Sequence, residues 1–221
     1  EGQTLLGLEW GEGRPVLLQH GWEGRASQMG AIGTELAGRG RAALSLTAPG
    51  HGAPPRLSSL WQSADALSAV AAARGPFGGF VGHSFGVAAA CFALHRGTLR
   101  VEQLGSRLVF VAPPDDLDPY FAALFSLLGL AEEVQRRFID RMERGLGMAW
   151  SEASRCTLRA ARPAAVLVVH DRDDRETPLA GGERVASAWP DAEIHRTTGL
   201  GHRRILRDPA VAARIGDFLA R

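Results

Sequence analysis

The sequence predicts an α/β fold: a mostly parallel central sheet with helices on both faces. Two observations carry that expectation. Apolar runs that read as buried strands alternate with helical patterns along most of the chain, the order that gives parallel strands joined by covering helices. The stretch Phe80-Val81-Gly82-His83-Ser84-Phe85-Gly86-Val87-Ala88-Ala89-Ala90 passes from an apolar run through Gly-x-Ser-x-Gly into small apolar residues. That is the pattern of a buried strand, a tight turn and a helix packed close to the sheet.

The elements follow in order. Thr4 to Trp10 reads as a strand, and Gly11-Glu12-Gly13 as a hairpin turn leading to a short apolar strand over Pro15 to Gln19. Ser27 to Leu36 is a helix, with Ser27 as candidate cap and Gly38 and Gly40 as its stop. A strand over Ala42 to Leu46 leads into the loop Thr47 to Gly52. Ser58 to Ala73 carries Leu60, Ala64, Leu67 and Val70 near a helical period. Phe77 to Val81 is the strand that delivers Ser84, and Val87 to His95 the helix after it. Further strands are expected at Arg107 to Ala112, Ala164 to Val169 and Ala192 to Thr197. Helix over Arg203 to Leu206 and Pro209 to Leu219 closes the chain.

One segment breaks the alternation. Between the strands at Val109 and Val168 the signals are only helical. Leu130, Val134, Phe138, Met142 and Leu146 form one apolar stripe, and Phe121, Leu124, Phe125 and Leu128 another. We expect a single domain over 1–221 with a helical cap inserted at about 114–161.

Composition narrows the partners. A chain of 221 residues, 45% hydrophobic and 22% charged, is long enough for one sizeable core. A net charge of +1 favours neither nucleic acid nor a membrane surface. No apolar run approaches the roughly 20 residues of a membrane span. Glu1-Gly2-Gln3 does not open a signal segment, so a cytoplasmic location is the expectation. The two cysteines, Cys91 and Cys156, are too few for a disulfide framework, and Cys91 reads as a core residue. No metal-ligand spacing, dinucleotide fingerprint or P-loop lysine appears, so no cofactor or metal is expected. The oligomeric state is not written in the sequence.

The chemistry is carried by four features in order. His20-Gly21-Trp22 ends an early strand, and Ser84 sits on the tight turn. His170-Asp171-Arg172-Asp173-Asp174 ends a late strand, and Gly199-Leu200-Gly201-His202 follows the last one. All four fall just beyond strand C-terminal ends, where open parallel sheets place their sites. A serine hydroxyl needs a base to take its proton, and His202 is the candidate. The base needs an acid to orient its ring, and Asp171, Asp173 and Asp174 compete for that place.

In these features the chain resembles the α/β-hydrolase superfamily, and within it small bacterial hydrolases with an early His-Gly-Trp-Glu-Gly-Arg stretch, here His20 to Arg25. The resemblance covers nearly the whole chain and implies the order nucleophile, acid, histidine. The family pattern His-Gly-x-x-Asp-x-x-Val-Pro, laid on His170 and Pro178, implies Asp174 as the acid. This sequence departs from it with Asp171 in place of glycine and Thr177 in place of valine. The resemblance also implies an oxyanion hole from the backbone N–H groups of Trp22 and Phe85. Trp22, Phe121 and Phe125 are expected to wall a pocket for a small-molecule acyl substrate.

The implied activity is hydrolysis of carboxylic esters or thioesters by a Ser84–Asp174–His202 triad through an acyl-enzyme. The same triad serves amide, lactone or carbon–carbon bond hydrolysis, and a non-catalytic binding protein on the same fold is the alternative from a different class. His20, His83 and His170 are read as loop-holding residues, and Arg203 and Arg204 as salt-bridge or surface residues rather than substrate contacts.

Overall fold

The computed structural model describes residues 4–51, 58–160 and 164–221. Glu1 to Gln3, Gly52 of the Thr47–Gly52 loop, and Ala161 at the end of the expected insertion lie outside the described residues. Strands β1 (Gly7–Trp10), β2 (Val16–Gln19), β3 (Ala43–Leu46), β4 (Phe80–His83), β5 (Arg107–Val111), β6 (Ala165–Asp171) and β7 (Glu193–Thr197) form one sheet. Its order is β1-β3-β2-β4-β5-β6-β7. Only β1 runs antiparallel.

The helices are α1 (Gly30–Gly38), α2 (Leu60–Arg74), α3 (Phe85–His95), α4 (Val101–Leu104), α5 (Asp118–Leu127) and α6 (Glu132–Leu146). They continue as α7 (Trp150–Ala153), α8 (Cys156–Arg159), α9 (Leu179–Ala188), α10 (Gly201–Arg204) and α11 (Pro209–Ala220). No helix of the described residues is long and apolar enough to cross a membrane.

The strand sequences explain the layers. Alternate residues of β2, β4, β5 and β6 point to opposite faces, and both faces are buried. Leu17, Phe80, Phe110 and Val168 meet α2, α3 and Trp189 on one side. Val16, Leu18, Val81, Val109 and Val169 meet Ile32, Leu36, Ile215 and Phe218 of α1 and α11 on the other. Helix α3 lies deepest: every residue from Gly86 to Leu94, Cys91 included, is buried.

Two sequence expectations are corrected. Gly11 to Gly13 do not close a hairpin, because β1 pairs with β3, Gly7 opposite Leu46 and Trp10 opposite Ala43. Strand β2 has both edges occupied, by β3 and β4, so β1 takes the outer edge. Ser27 does not cap a helix but lies inside a short 3-10 turn before α1. The chain between β6 and β7, to which the sequence analysis assigns no element, forms α9, which carries Gly181 and Gly182. A Cβ at Gly182 would lie 2.2 Å from His170 Nδ1, and one at Gly181 2.5 Å from Asp115 Oδ1. The glycines bring the helix against His170 of β6 and Asp115 beyond β5, which offsets their cost in helix propensity.

Four helices, α5 to α8, fill the interval between β5 and β6. The α6 stripe is only half buried: Met142 and Leu146 are covered, while Val134 and Phe138 are 48% and 39% exposed. At its covered end Gly145 meets Trp61 of α2, where a Cβ would stand 2.9 Å from the indole. Phe121 packs against Phe125, Phe138 and Trp150, so the two stripes meet through aromatic rings.

Candidate active site

Ser84 stands between β4 and α3 with φ 49° and ψ −118°, a left-handed conformation that side chains with a Cβ rarely adopt. Two backbone bonds hold it there. Its N–H donates to Val111 O at the end of β5 (2.9 Å), and its carbonyl accepts from Val87 N (2.9 Å). The flanking glycines are required by space. A Cβ on Gly82 would meet the Phe80 ring at 2.9 Å, and one on Gly86 would meet His20 O at 2.5 Å and Gln19 O at 2.6 Å. The start of α3 therefore rests directly on the backbone that ends β2.

That contact sets the His20-Gly21-Trp22 loop beside the serine. A Cβ on Gly21 would lie 3.2 Å from Ser84 Cβ and 2.7 Å from His83 Nδ1. Gly24 N donates to Gly21 O (3.1 Å), closing a turn with Glu23 at φ 55°. His20 fixes the loop from within. Its Nε2 accepts from Ala48 N (2.9 Å), which leaves the proton on Nδ1 to donate to Gly21 O (2.7 Å). Burial, with a smaller push from His51, lowers its pKa to about 4, so the ring is neutral.

The candidate acid Asp174 and the candidate base His202 meet under cover. His202 Nδ1 lies 2.7 Å from Asp174 Oδ2, and both side chains are nearly fully buried. Asp174 Oδ1 accepts from Glu176 N (2.9 Å) and Thr177 N (2.8 Å). Oδ2 also accepts from Thr177 Oγ1 (2.8 Å). Burial opposes the charge, but the bonds from His202 and Thr177 outweigh it and hold the carboxyl below its usual range.

The two other candidate acids do different work. Asp171, fully buried, accepts from Thr197 Oγ1 (2.6 Å), Leu200 N (3.1 Å) and Asp173 N (2.9 Å). Asp173 Oδ2 accepts from Gly199 N (2.7 Å). Both tie the acid loop to the segment that carries His202. Neither shares a hydrogen bond with the His202 ring.

His83 and His170 brace the same structure. His83 Nε2 donates to His202 O (2.9 Å), with the two ring centroids 4.7 Å apart. Burial first, and the neighbouring His202 second, lower the His83 pKa to about 3. His170 Nε2 donates to Thr177 O (2.8 Å), and burial lowers its pKa as well. Arg203 pairs with Glu176 (3.1 Å), and Arg204 donates to Gly199 O (2.6 Å). Among the described residues no hydrogen bond joins Ser84 Oγ to His202, whose ring bonds all run through Nδ1.

The rim is aromatic. Trp22 packs edge-on against Phe85 (5.0 Å) and against His51 (5.3 Å). Trp22 is 54% exposed, so it lies on the surface beside Phe85 rather than in the core. Phe121 and Phe125 sit with Phe138 and Trp150 in the α5–α7 cluster. Sequence reasoning missed two residues near the acid. Thr177 stood out only as a departure from the family pattern. Tyr120, at the start of α5, is held well above the usual phenol range by burial and then by the charges of Asp174, Asp115 and Glu176. The sequence placed no signal on it.

A strained serine between strand and helix, a buried carboxylate–imidazole pair and a parallel sheet with one antiparallel edge define a hydrolase scaffold. The chain belongs to the alpha/beta hydrolase family, whose model matches residues 16–215. No curated protein matches the sequence. Among solved structures it is similar to a monoacylglycerol lipase from Paleococcus ferrophilus (TM-score 0.71, 20% identity, 98% of each chain covered). It is also similar to a thermophilic esterase from Thermogutta terrifontis (TM-score 0.66, 21% identity, 98% of this chain and 93% of that one). A bromoperoxidase from Bacillus anthracis has the same fold (TM-score 0.73, 15% identity, 98% of this chain and 95% of that one).

Proposed function

We propose that this protein is a serine hydrolase that cleaves carboxylic esters or thioesters of small molecules through an acyl-enzyme. The observation that carries the reading is the buried 2.7 Å bond between His202 Nδ1 and Asp174 Oδ2, on loops adjoining a serine held at φ 49°. Asp174 orients the ring and stabilises its charged form; His202 Nε2 takes the Ser84 proton as Oγ adds to the acyl carbon. The oxyanion is met by the N–H groups of Trp22 and Phe85, which carry no backbone partner among the described residues. His202 then protonates the leaving alcohol or thiol, and water releases the acid by the same steps reversed.

Helices α5 and α6 serve as the cap of this single domain, within the interval 114–161. Trp22, Phe121 and Phe125 bound the acyl pocket in this reading, and such apolar walls suit a small to medium acyl group. Hydrolysis of p-nitrophenyl esters from acetate to dodecanoate tests the reading, with Ser84→Ala and His202→Ala alongside. Loss of turnover in both variants and fluorophosphonate labelling of Ser84 are expected. An unlabelled serine, with no turnover above the Ser84→Ala background, would instead favour a binding protein on this fold.

A further inference from the structure

The acid of the site has one more partner than its orienting role needs. Thr177 Oγ1, buried at 2% exposure, lies 2.8 Å from Asp174 Oδ2 and 3.0 Å from His202 Nδ1. With the 2.7 Å acid–base bond these contacts close a triangle. The hydroxyl has one proton to give. An ionised Asp174 can only accept, so that proton points to Oδ2, and a hydroxyl lone pair faces Nδ1–H. Ala112 O, at 3.5 Å, is the weaker competitor for the same proton.

We propose that Thr177 is a positioning residue of the triad, its hydroxyl fixing Asp174 Oδ2 and sharing the Nδ1 hydrogen of His202. The inference rests on the serine-hydrolase reading above. It also assigns a role to one of the two points at which this sequence departs from the family pattern. A valine there has nearly the same shape and keeps the backbone bond to Asp174 Oδ1, but leaves Oδ2 with the imidazole alone. The hydroxyl thus adds a bond at Oδ2 to the two backbone bonds that hold Oδ1, and its lone pair favours Nδ1, rather than Nε2, as the protonated nitrogen in the resting ring.

Thr177→Val and Thr177→Ser separate this role from packing. In ester hydrolysis, Thr177→Val is expected to lower kcat roughly five- to tenfold with KM unchanged, because only the geometry of proton transfer is disturbed. Thr177→Ser keeps the hydroxyl and should recover most of the loss, although it deletes a buried methyl. The downfield proton resonance of Nδ1–H should move in Thr177→Val and return in Thr177→Ser. Should Thr177→Val fail to fold, Thr177→Ala carries the same expectation against Thr177→Ser.

Wild-type kcat in Thr177→Val, or a Thr177→Ser variant as slow as Thr177→Val, would overturn the proposal. Its failure is distinct from failure of the serine mechanism: in the first case Ser84→Ala still abolishes turnover, and in the second it does not.

Discussion

His83 donates its Nε2 hydrogen to the backbone carbonyl of His202 at 2.9 Å, so the residue before the elbow serine grips the segment that carries His202. The ring must be neutral in Nδ1 and protonated at Nε2 to do this, and burial lowers its pKa to about 3. His20, at about 4, and His170 are also depressed by burial. A histidine with a depressed folded pKa binds its proton first in the unfolded chain. Its contribution to stability is therefore complete above about pH 6.5 and is lost as pH falls toward the folded value. Each such ring adds a slope of about 1.4 kcal/mol per pH unit below the unfolded pKa. Urea unfolding at pH 7.5, 6.0 and 5.0 should show that loss, and His83→Gln should reduce the slope by about one proton.

Asp174→Asn keeps the shape of the acid while removing its charge. The amide turns a donor or a neutral oxygen toward Nδ1, and the ring loses its orientation and its counter-charge. A fall in kcat of roughly three to four orders of magnitude is expected. Circular dichroism and the urea midpoint should change little by comparison.

Asp171 and Asp173 are separable by their bonds. Asp171 is fully buried and satisfies three donors, so Asp171→Ala strands the Leu200 and Asp173 N–H groups and the Thr197 hydroxyl. A loss of about 2–3 kcal/mol in unfolding free energy is expected. Asp173→Ala loses one bond, to Gly199 N, at an exposed position and should cost about 1 kcal/mol or less. Equal losses in the two variants would contradict this account.

Gly86→Ala tests the contact between the elbow and the β2 loop. The new Cβ would meet two backbone oxygens, His20 O at 2.5 Å and Gln19 O at 2.6 Å, and neither belongs to a flexible side chain. Shifting either strand end displaces Trp22 or Phe85 relative to Ser84. A destabilisation of roughly 2–3 kcal/mol and loss of ester hydrolysis are expected.

Much of this arrangement was legible in the sequence, for physical reasons. Strands buried on both faces write continuous apolar runs, so β2, β5 and β6 were found close to their observed bounds, whereas β4 starts three residues later than its apolar run and ends at His83, two residues past it. The elbow wrote itself in glycines because only glycine fits at positions 82 and 86. Helix α9 was hidden by the same logic: Gly181 and Gly182 serve close approach, yet look like breakers. The pairing of β1 with β3 was invisible because a short edge strand carries little pattern of its own. The half-exposed α6 stripe showed the limit of periodicity, which predicts an apolar face and not what covers it. Among the three acids, spacing alone did not choose. All three accept from backbone N–H groups, and only Asp174 also meets the His202 ring, a difference that leaves no trace in residue type.

The ties made by Asp171 and Asp173 join the acid loop and the histidine segment into one rigid piece. The serine belongs to another piece, built on β4 and α3 and welded to the end of β2. Between them runs a seam, crossed by His83 Nε2 at the carbonyl of residue 202. The 2.7 Å contact between Asp174 and His202 therefore lies wholly within the tied loops, whereas the spacing of His202 from Ser84 depends on the seam.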